Sequence, residues 1–173
     1  MKFADWMPSV ERFVAENHEN IVRDIRRVVE IPSVEDTPAP GAPYGAGARA
    51  ALDEGLKIAQ EMGLDTHNAD GHIGWAEVKG RTDKTIATIT HLDVVPAGNG
   101  WDADPFVMRR RDGWLIGRGV CDDKGPSILC LYIAKFLKEQ GITPRYNFRV
   151  LLGCNEETGM GDVEYYLHNF PAP

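Results

Sequence analysis

The sequence predicts an α/β protein, a mixed, largely parallel sheet flanked by helices, on three observations. Amphipathic helical patterns alternate with short β-branched runs along the chain. One run, Thr85 to Thr90, is β-branched and carries no charge, and Phe148 to Cys154 is a second buried-type strand, as in strands buried on both faces of a sheet. Polar residues gather just beyond these runs, where sites form in open α/β sheets.

The elements follow in order. Pro8 and Ser9 open a helix reaching about Glu30, in which Val10, Phe13, Val14, Ile21, Ile25, Val28 and Val29 approximate one apolar stripe; Ile31-Pro32-Ser33 stops it. Glu35 to Tyr44, rich in Pro, Ala and Gly, reads as a surface loop. A second helix carries Leu52, Leu56 and Ala59 on one face and ends at Gly63. Leu64 to Val78 holds two short strands around Gly71, a hairpin pattern. The Thr85 to Thr90 strand leads into His91-Leu92-Asp93. Asp112-Gly113, between Phe106–Arg111 and Trp114–Ile116, is the strongest two-residue hairpin signal in the chain. A long apolar helix, about Ser127 to Gln140, ends at Gly141. The strand from Phe148 runs into Asn155-Glu156-Glu157, and a short helix follows from about Asp162 to His168.

Composition narrows the function. The 173 residues suit one ordinary domain, and 43% hydrophobic with 26% charged residues is the profile of a soluble globular protein. A net charge of -7 argues against a sequence-independent nucleic-acid binder, because phosphate neutralisation needs a basic surface; the one basic run, Arg109 to Arg111, reads as a solvated strand end. Cys121, Cys130 and Cys154 lack CxxC spacing, so neither a disulfide framework nor a zinc knuckle is expected, and they read as small buried residues. Met1 to Ser9 has no apolar leader, and no stretch has the length of a membrane span. A cytoplasmic protein with no membrane partner is the expectation.

The chemistry lies in five residues. His91 and Asp93 follow one strand, Glu156 and Glu157 follow another, and Asp122 precedes a helix, so the topology allows them to converge. One imidazole with several carboxylates suits zinc, and also manganese or cobalt. In Glu156-Glu157 adjacent side chains point apart, leaving one to bind metal and the other to move protons. Asp93 falls on the same side of an extended segment as His91 and can accept its second ring N–H. Each feature also has an ordinary explanation: paired acids are commonly surface charge, and Asp122-Asp123 can serve only as a helix cap.

Other features are set aside. Gly45-Ala46-Gly47-Ala48-Arg49-Ala50 matches a dinucleotide-binding pattern, but a Pro-rich loop precedes it where a strand is required. Nothing orients Cys154 as a nucleophile toward His91. His18, His67, His72 and His168 read as satisfied polar residues. Trp101 and Phe106 read as anchors of their loop, with a pocket wall as the alternative.

Together these segments resemble a known family. His91-Leu92-Asp93-Val94-Val95-Pro96-Ala97-Gly98, Gly100-Trp101 with Asp104-Pro105-Phe106, Gly117-Arg118-Gly119 with Asp122-Asp123-Lys124-Gly125-Pro126, and Asn155-Glu156-Glu157-Thr158-Gly159 are similar to the M20 metallopeptidases, nearest the PepV-like dipeptidase branch. Four motifs in the right order are highly specific. The resemblance implies that His91 binds one of two divalent ions, Asp122 bridges both and Glu157 binds the other. Glu156 is then the general base for a metal-bridged water, and Asp93 supports His91. It implies a small peptide substrate, with an N-acyl amino acid as the alternative.

The resemblance also implies parts absent from these residues: a further acidic ligand, a second His ligand and a lid or dimerisation domain. The expectation is therefore that residues 1–173 are the N-terminal portion of a zinc-peptidase-like catalytic domain, and that this portion alone is a non-catalytic folding unit.

Overall fold

The computed structural model describes residues 6–173; residues 1–5, the start of the segment read for a leader, lie outside the described residues. The chain runs α1 (Met7–Val29), α2 (Ala46–Glu61), β1 (Asp65–Ala69), β2 (Ile73–Val78), β3 (Thr85–His91), β4 (Arg109–Arg111), β5 (Trp114–Ile116), α3 (Lys124–Glu139), β6 (Asn147–Gly153) and α4 (Gly161–Asn169). Helix ends fall within a few residues of their sequence signals. α3 starts three residues before Ser127, because Pro126 in a first turn forfeits no helical hydrogen bond.

Four strands form one sheet in the order β1-β2-β6-β3. The hairpin β1-β2 is antiparallel, β2 joins β6 antiparallel, and β3 lies parallel to β6 with α3 as the crossover. The sheet is mixed, as expected, but its balance among the described residues favours antiparallel pairing: the first two strands join through a tight turn rather than a helix. β4 and β5 form a separate ribbon across Asp112-Gly113, whose φ angles of 51° and 82° give the turn that suits a two-residue hairpin.

Alternation along β2 and β6 splits the core between two faces. Ala76, Phe148, Val150 and Leu152 meet α1, α2 and α3 through Val28, Leu52, Leu56, Ile128 and Leu131. Ile73, Trp75 and Leu151 meet Tyr166 of α4 on the opposite face. Each fully buried aliphatic side chain here contributes about 2 kcal/mol by leaving water. Among the described residues no helix is long and apolar enough to cross a membrane.

One expectation is corrected. The Thr85–Thr90 run was to be buried on both faces, but β3 is an edge strand, with Ile86 and Ile89 50% and 62% exposed. Its residue types are those common in buried strands, but the described residues place no neighbour on its outer side.

Gly45 to Ala50 has a packing role. A Cβ on Gly47 would lie 2.1 Å from the Pro32 carbonyl oxygen, so the start of α2 needs a glycine to pass beside the chain leaving α1.

Candidate metal centre

The carboxyl ends of β3 and β6 lie side by side, and the pairing continues one residue past β3, where Leu92 N–H donates to the Gly153 carbonyl at 2.9 Å. His91 therefore sits beside the turn carrying Glu156 and Glu157. α3 fixes the His91 main chain from the other side. Asp123 Oδ2 accepts the His91 N–H at 3.2 Å, and Ser127 Oγ donates to the His91 carbonyl at 3.0 Å. Asp123 is thus not the side-chain cap of α3 that its position suggests; its carboxylate is turned to β3.

The same turn of α3 reaches α1. Lys124 is fully buried, and its ammonium donates to the carbonyls of Val28, in the last turn of α1, and Ile31, just beyond it, at 2.8 and 2.7 Å. Burial pulls the Lys124 pKa down to about 7.

Three of the other expected residues surround the His91 ring. His91 Nε2 is 3.1 Å from Asp122 Oδ1 and 3.8 Å from Glu156 Oε2. Nδ1 faces Asp93, 3.3 Å from Oδ1 and 3.2 Å from the main-chain oxygen. The fifth closes the group: one ligand atom each from His91, Asp122 and Glu157 lie within 4.8 Å of one another. Two ligands about 2.0 Å from a tetrahedral cation are about 3.3 Å apart, so this nitrogen and oxygen donor set fits a divalent ion.

Exposure divides the group. The His91 and Asp93 side chains are 8% and 2% accessible, whereas Asp122 is 76% and Glu156 44%. A buried imidazole thus meets carboxylates open to solvent, the arrangement of a site whose inner wall is fixed and whose outer side can admit a ligand. Burial opposes charge on His91, but the hydrogen bond and charge of Asp93, with Asp123 and Glu156, raise its pKa to about 9. Glu157 is also raised, by burial and then by the Asp122 charge. Several carboxylates thus gather around one imidazole, and a divalent cation offsets such a gathering of negative charge.

Two buried acids organise the second strand end. Asp93 Oδ1 accepts the Glu156 N–H at 3.2 Å and Oδ2 the Glu157 N–H at 3.1 Å. Asp162, 1% exposed, accepts the Cys154 and Asn155 N–H groups at 2.7 and 3.0 Å. Asp162, Asp123, Lys124 and Ser127 were not singled out from the sequence for these parts. An acid in a first helical turn looks there like ordinary dipole compensation, and only the doubled Asp122-Asp123 hinted at more.

The remaining residues keep their ordinary explanations. His67 stacks on Trp75, His72 stacks on Tyr165 and bonds the Tyr44 hydroxyl at 2.9 Å, and His18 and His168 bond within their own helices. Trp101 anchors its loop by donating to the Ala97 carbonyl at 2.8 Å, with Arg118 over its ring. Arg109, Arg110 and Arg111 pair with acids, Asp102 and Glu19 among them. All three cysteines are free; Cys154 is buried as expected, but Cys121 is exposed, because it lies in the turn that presents Asp122.

Comparison with known proteins places these features. Residues 87–171 match the model of Peptidase family M20/M25/M40. The Beta-Ala-Xaa dipeptidase of Lactobacillus delbrueckii subsp. lactis is 39% identical over 156 residues, 88% of this chain and 33% of that protein. Human carnosine dipeptidase 1 superposes with a TM-score of 0.79 at 22% identity, over 94% of this chain and 37% of that one. The Bacillus subtilis YXEP protein, described as a dinuclear metal binding peptidase from M20 family, gives a TM-score of 0.63 at 17% identity, over 90% and 41% of the two chains. The chain spans about a third of the length of the curated relatives it matches.

Proposed function

Residues 87–171 belong to peptidase family M20/M25/M40, and from that premise we propose that the chain is the N-terminal portion of the catalytic domain of a metal-dependent dipeptidase. The carrying observation is that donor atoms of His91, Asp122 and Glu157 lie within 4.8 Å of one another, beside the Glu156 carboxylate. The dipeptidase named among the relatives supports a small peptide as substrate.

In this reading His91 would hold one of two divalent cations and Glu157 the other, zinc by preference with manganese or cobalt as alternatives, and Asp122 would contribute to both. Such cations, when bound, would lower the pKa of a water and polarise the scissile carbonyl. Glu156 is the general base: it takes the proton from the attacking water and delivers it to the departing amine, which balances the hydrolysis. Its exposure suits a group that must reach a substrate. Asp93 holds the His91 ring and the Glu156-Glu157 main chain in one geometry.

Three donors fall short of what two cations require, so residues 1–173 alone bind metal weakly and do not turn over. The sparse, unpaired cysteines suit a reducing, cytoplasmic setting. The net charge of -7 disfavours nucleic acid as a partner.

The test is dipeptide hydrolysis by the longer protein. Glu156→Gln is expected to lower kcat by at least about a hundredfold with its metal content retained. Wild-type turnover by that variant would overturn the role of Glu156, and turnover of N-acyl amino acids in preference to dipeptides would overturn the substrate class.

A further inference from the structure

The chain leaving α1 touches all three segments that carry the candidate ligands. Ile31-Pro32-Ser33 reads in the sequence as no more than a helix stop, and Glu35 as the start of a surface loop. In the structure, alternate residues of this short stretch each meet a different part of the metal centre. The Ile31 carbonyl accepts from Lys124 Nζ at 2.7 Å, two residues beyond Asp122. Ser33, fully buried, brackets Asp93: its Oγ donates to the Leu92 carbonyl at 2.6 Å, and its own carbonyl accepts the Val94 N–H at 3.1 Å. Glu35 Oε1 accepts from the carboxamide of Asn155 at 3.0 Å.

Asn155 is the residue before Glu156, and it is 5% exposed. Its carboxamide also donates to Thr158 Oγ1 at 2.6 Å and accepts the Gly161 N–H at 3.1 Å, while its main-chain oxygen accepts the Met160 N–H at 2.7 Å. The turn bearing Glu156 and Glu157 is therefore wound about Asn155, and Glu35 fixes Asn155 to the chain after α1. Glu35 itself is exposed, so its bond to Asn155 secures a direction and not a core contact.

We propose that Ile31 to Glu35 form a strap that sets the spacing of the metal donors, with Ser33 and Glu35 as its positioning residues. Ser33 acts through Asp93 on His91, Glu156 and Glu157, and Glu35 acts through Asn155 on the Glu156-Glu157 turn. Donors for a metal ion must stay within about 0.5 Å of their productive places. Here they come from segments 91–93, 122–124 and 155–157, which only tertiary contacts hold together. The strap precedes residues 87–171, the stretch that matches the family's model. This rests on the reading of His91, Asp122 and Glu157 as metal ligands, and adds what keeps them in register.

The test is zinc affinity, by isothermal titration of the metal-free longer protein. Ser33→Ala is expected to weaken zinc binding about 10–100-fold, and Glu35→Ala about tenfold. Glu35→Gln keeps the acceptor for Asn155 while removing the charge, so it is expected to restore wild-type affinity. Ile58→Ala is the reference for lost stability alone: Ile58 is 1% exposed and lines a pocket with Asp24 and Tyr132. Its unfolding midpoint should fall at least as far as that of Ser33→Ala, with zinc affinity within about twofold of wild type. Wild-type affinity in Ser33→Ala or in Glu35→Ala would overturn the proposal. So would a loss in Ile58→Ala equal to that in Ser33→Ala, because affinity would then follow stability, and so would a Glu35→Gln variant no better than Glu35→Ala. If Ser33→Ala does not fold by circular dichroism, Glu35→Ala against Glu35→Gln decides at an exposed position. Wild-type protein that binds zinc but cleaves no dipeptide would count against the proposed function and leave this proposal to be decided by the affinities.

Discussion

Asp93 holds Glu157 by its backbone: Oδ2 accepts the Glu157 N–H at 3.1 Å, while the other carboxylate oxygen lies 3.3 Å from His91 Nδ1. One buried carboxylate thus ties the end of β3 to the turn after β6. A candidate ligand from each strand end is positioned by the same group.

Asp93→Asn should therefore loosen both ends at once. An amide offers one acceptor where the carboxylate offers two, and its NH2 would face a main-chain donor. In isothermal titration, zinc affinity is expected to fall about 10–100-fold, with the circular dichroism spectrum kept. Glu156→Gln should bind zinc nearly as well as wild type. Equal affinity in Asp93→Asn and wild type would rule out the positioning role.

Asp162→Ala should destabilise the chain by about 2–5 kcal/mol, because it leaves the Cys154 and Asn155 amides buried without acceptors. Urea unfolding would measure this, and a loss below about 1 kcal/mol would mean that water replaces the carboxylate freely.

Lys124 and His91 give the metal-free chain opposing pH dependences. Lys124 titrates at 10.5 when unfolded and at about 7 in the fold, so between these values the unfolded chain holds more protons and stability rises with pH. His91 goes from 6.5 to about 9, so its contribution is full below 6.5 and is lost as pH rises through 9. With a chelator present, stability between pH 7 and 9 should climb more steeply in His91→Gln than in wild type, and fall in Lys124→Met. Parallel profiles for all three proteins would refute this assignment.

Gly47→Ala should cost about 1–3 kcal/mol through the clash with the Pro32 carbonyl, a shift that thermal unfolding resolves. A neutral effect would show that the α1–α2 connection gives way easily.

Local chemistry made much of the protein legible. α1 and α3 follow from apolar spacing, the β4-β5 turn from Asp112-Gly113, and the candidate ligands from four motifs in order. Cys121 was read as buried because residue type alone cannot report that a turn lifts it beside Asp122. Asp123 looked like a cap because sequence shows proximity to a helix start, not the carboxylate's turn toward the His91 N–H.

By itself, the sequence determined most of the elements, the resemblance to the family and the set of candidate site residues, because periodicity, turn residues and motif spacing are local properties of a chain. Tertiary structure alone decided the order β1-β2-β6-β3, the place of β3 at an open edge and the meeting of His91, Asp93, Asp122, Glu156 and Glu157. Those depend on pairings between residues about 60 positions apart, Thr90 with Leu152 and Asp93 with Glu156. Such pairings are selected by burying two apolar faces at once, a condition that no short stretch of sequence expresses.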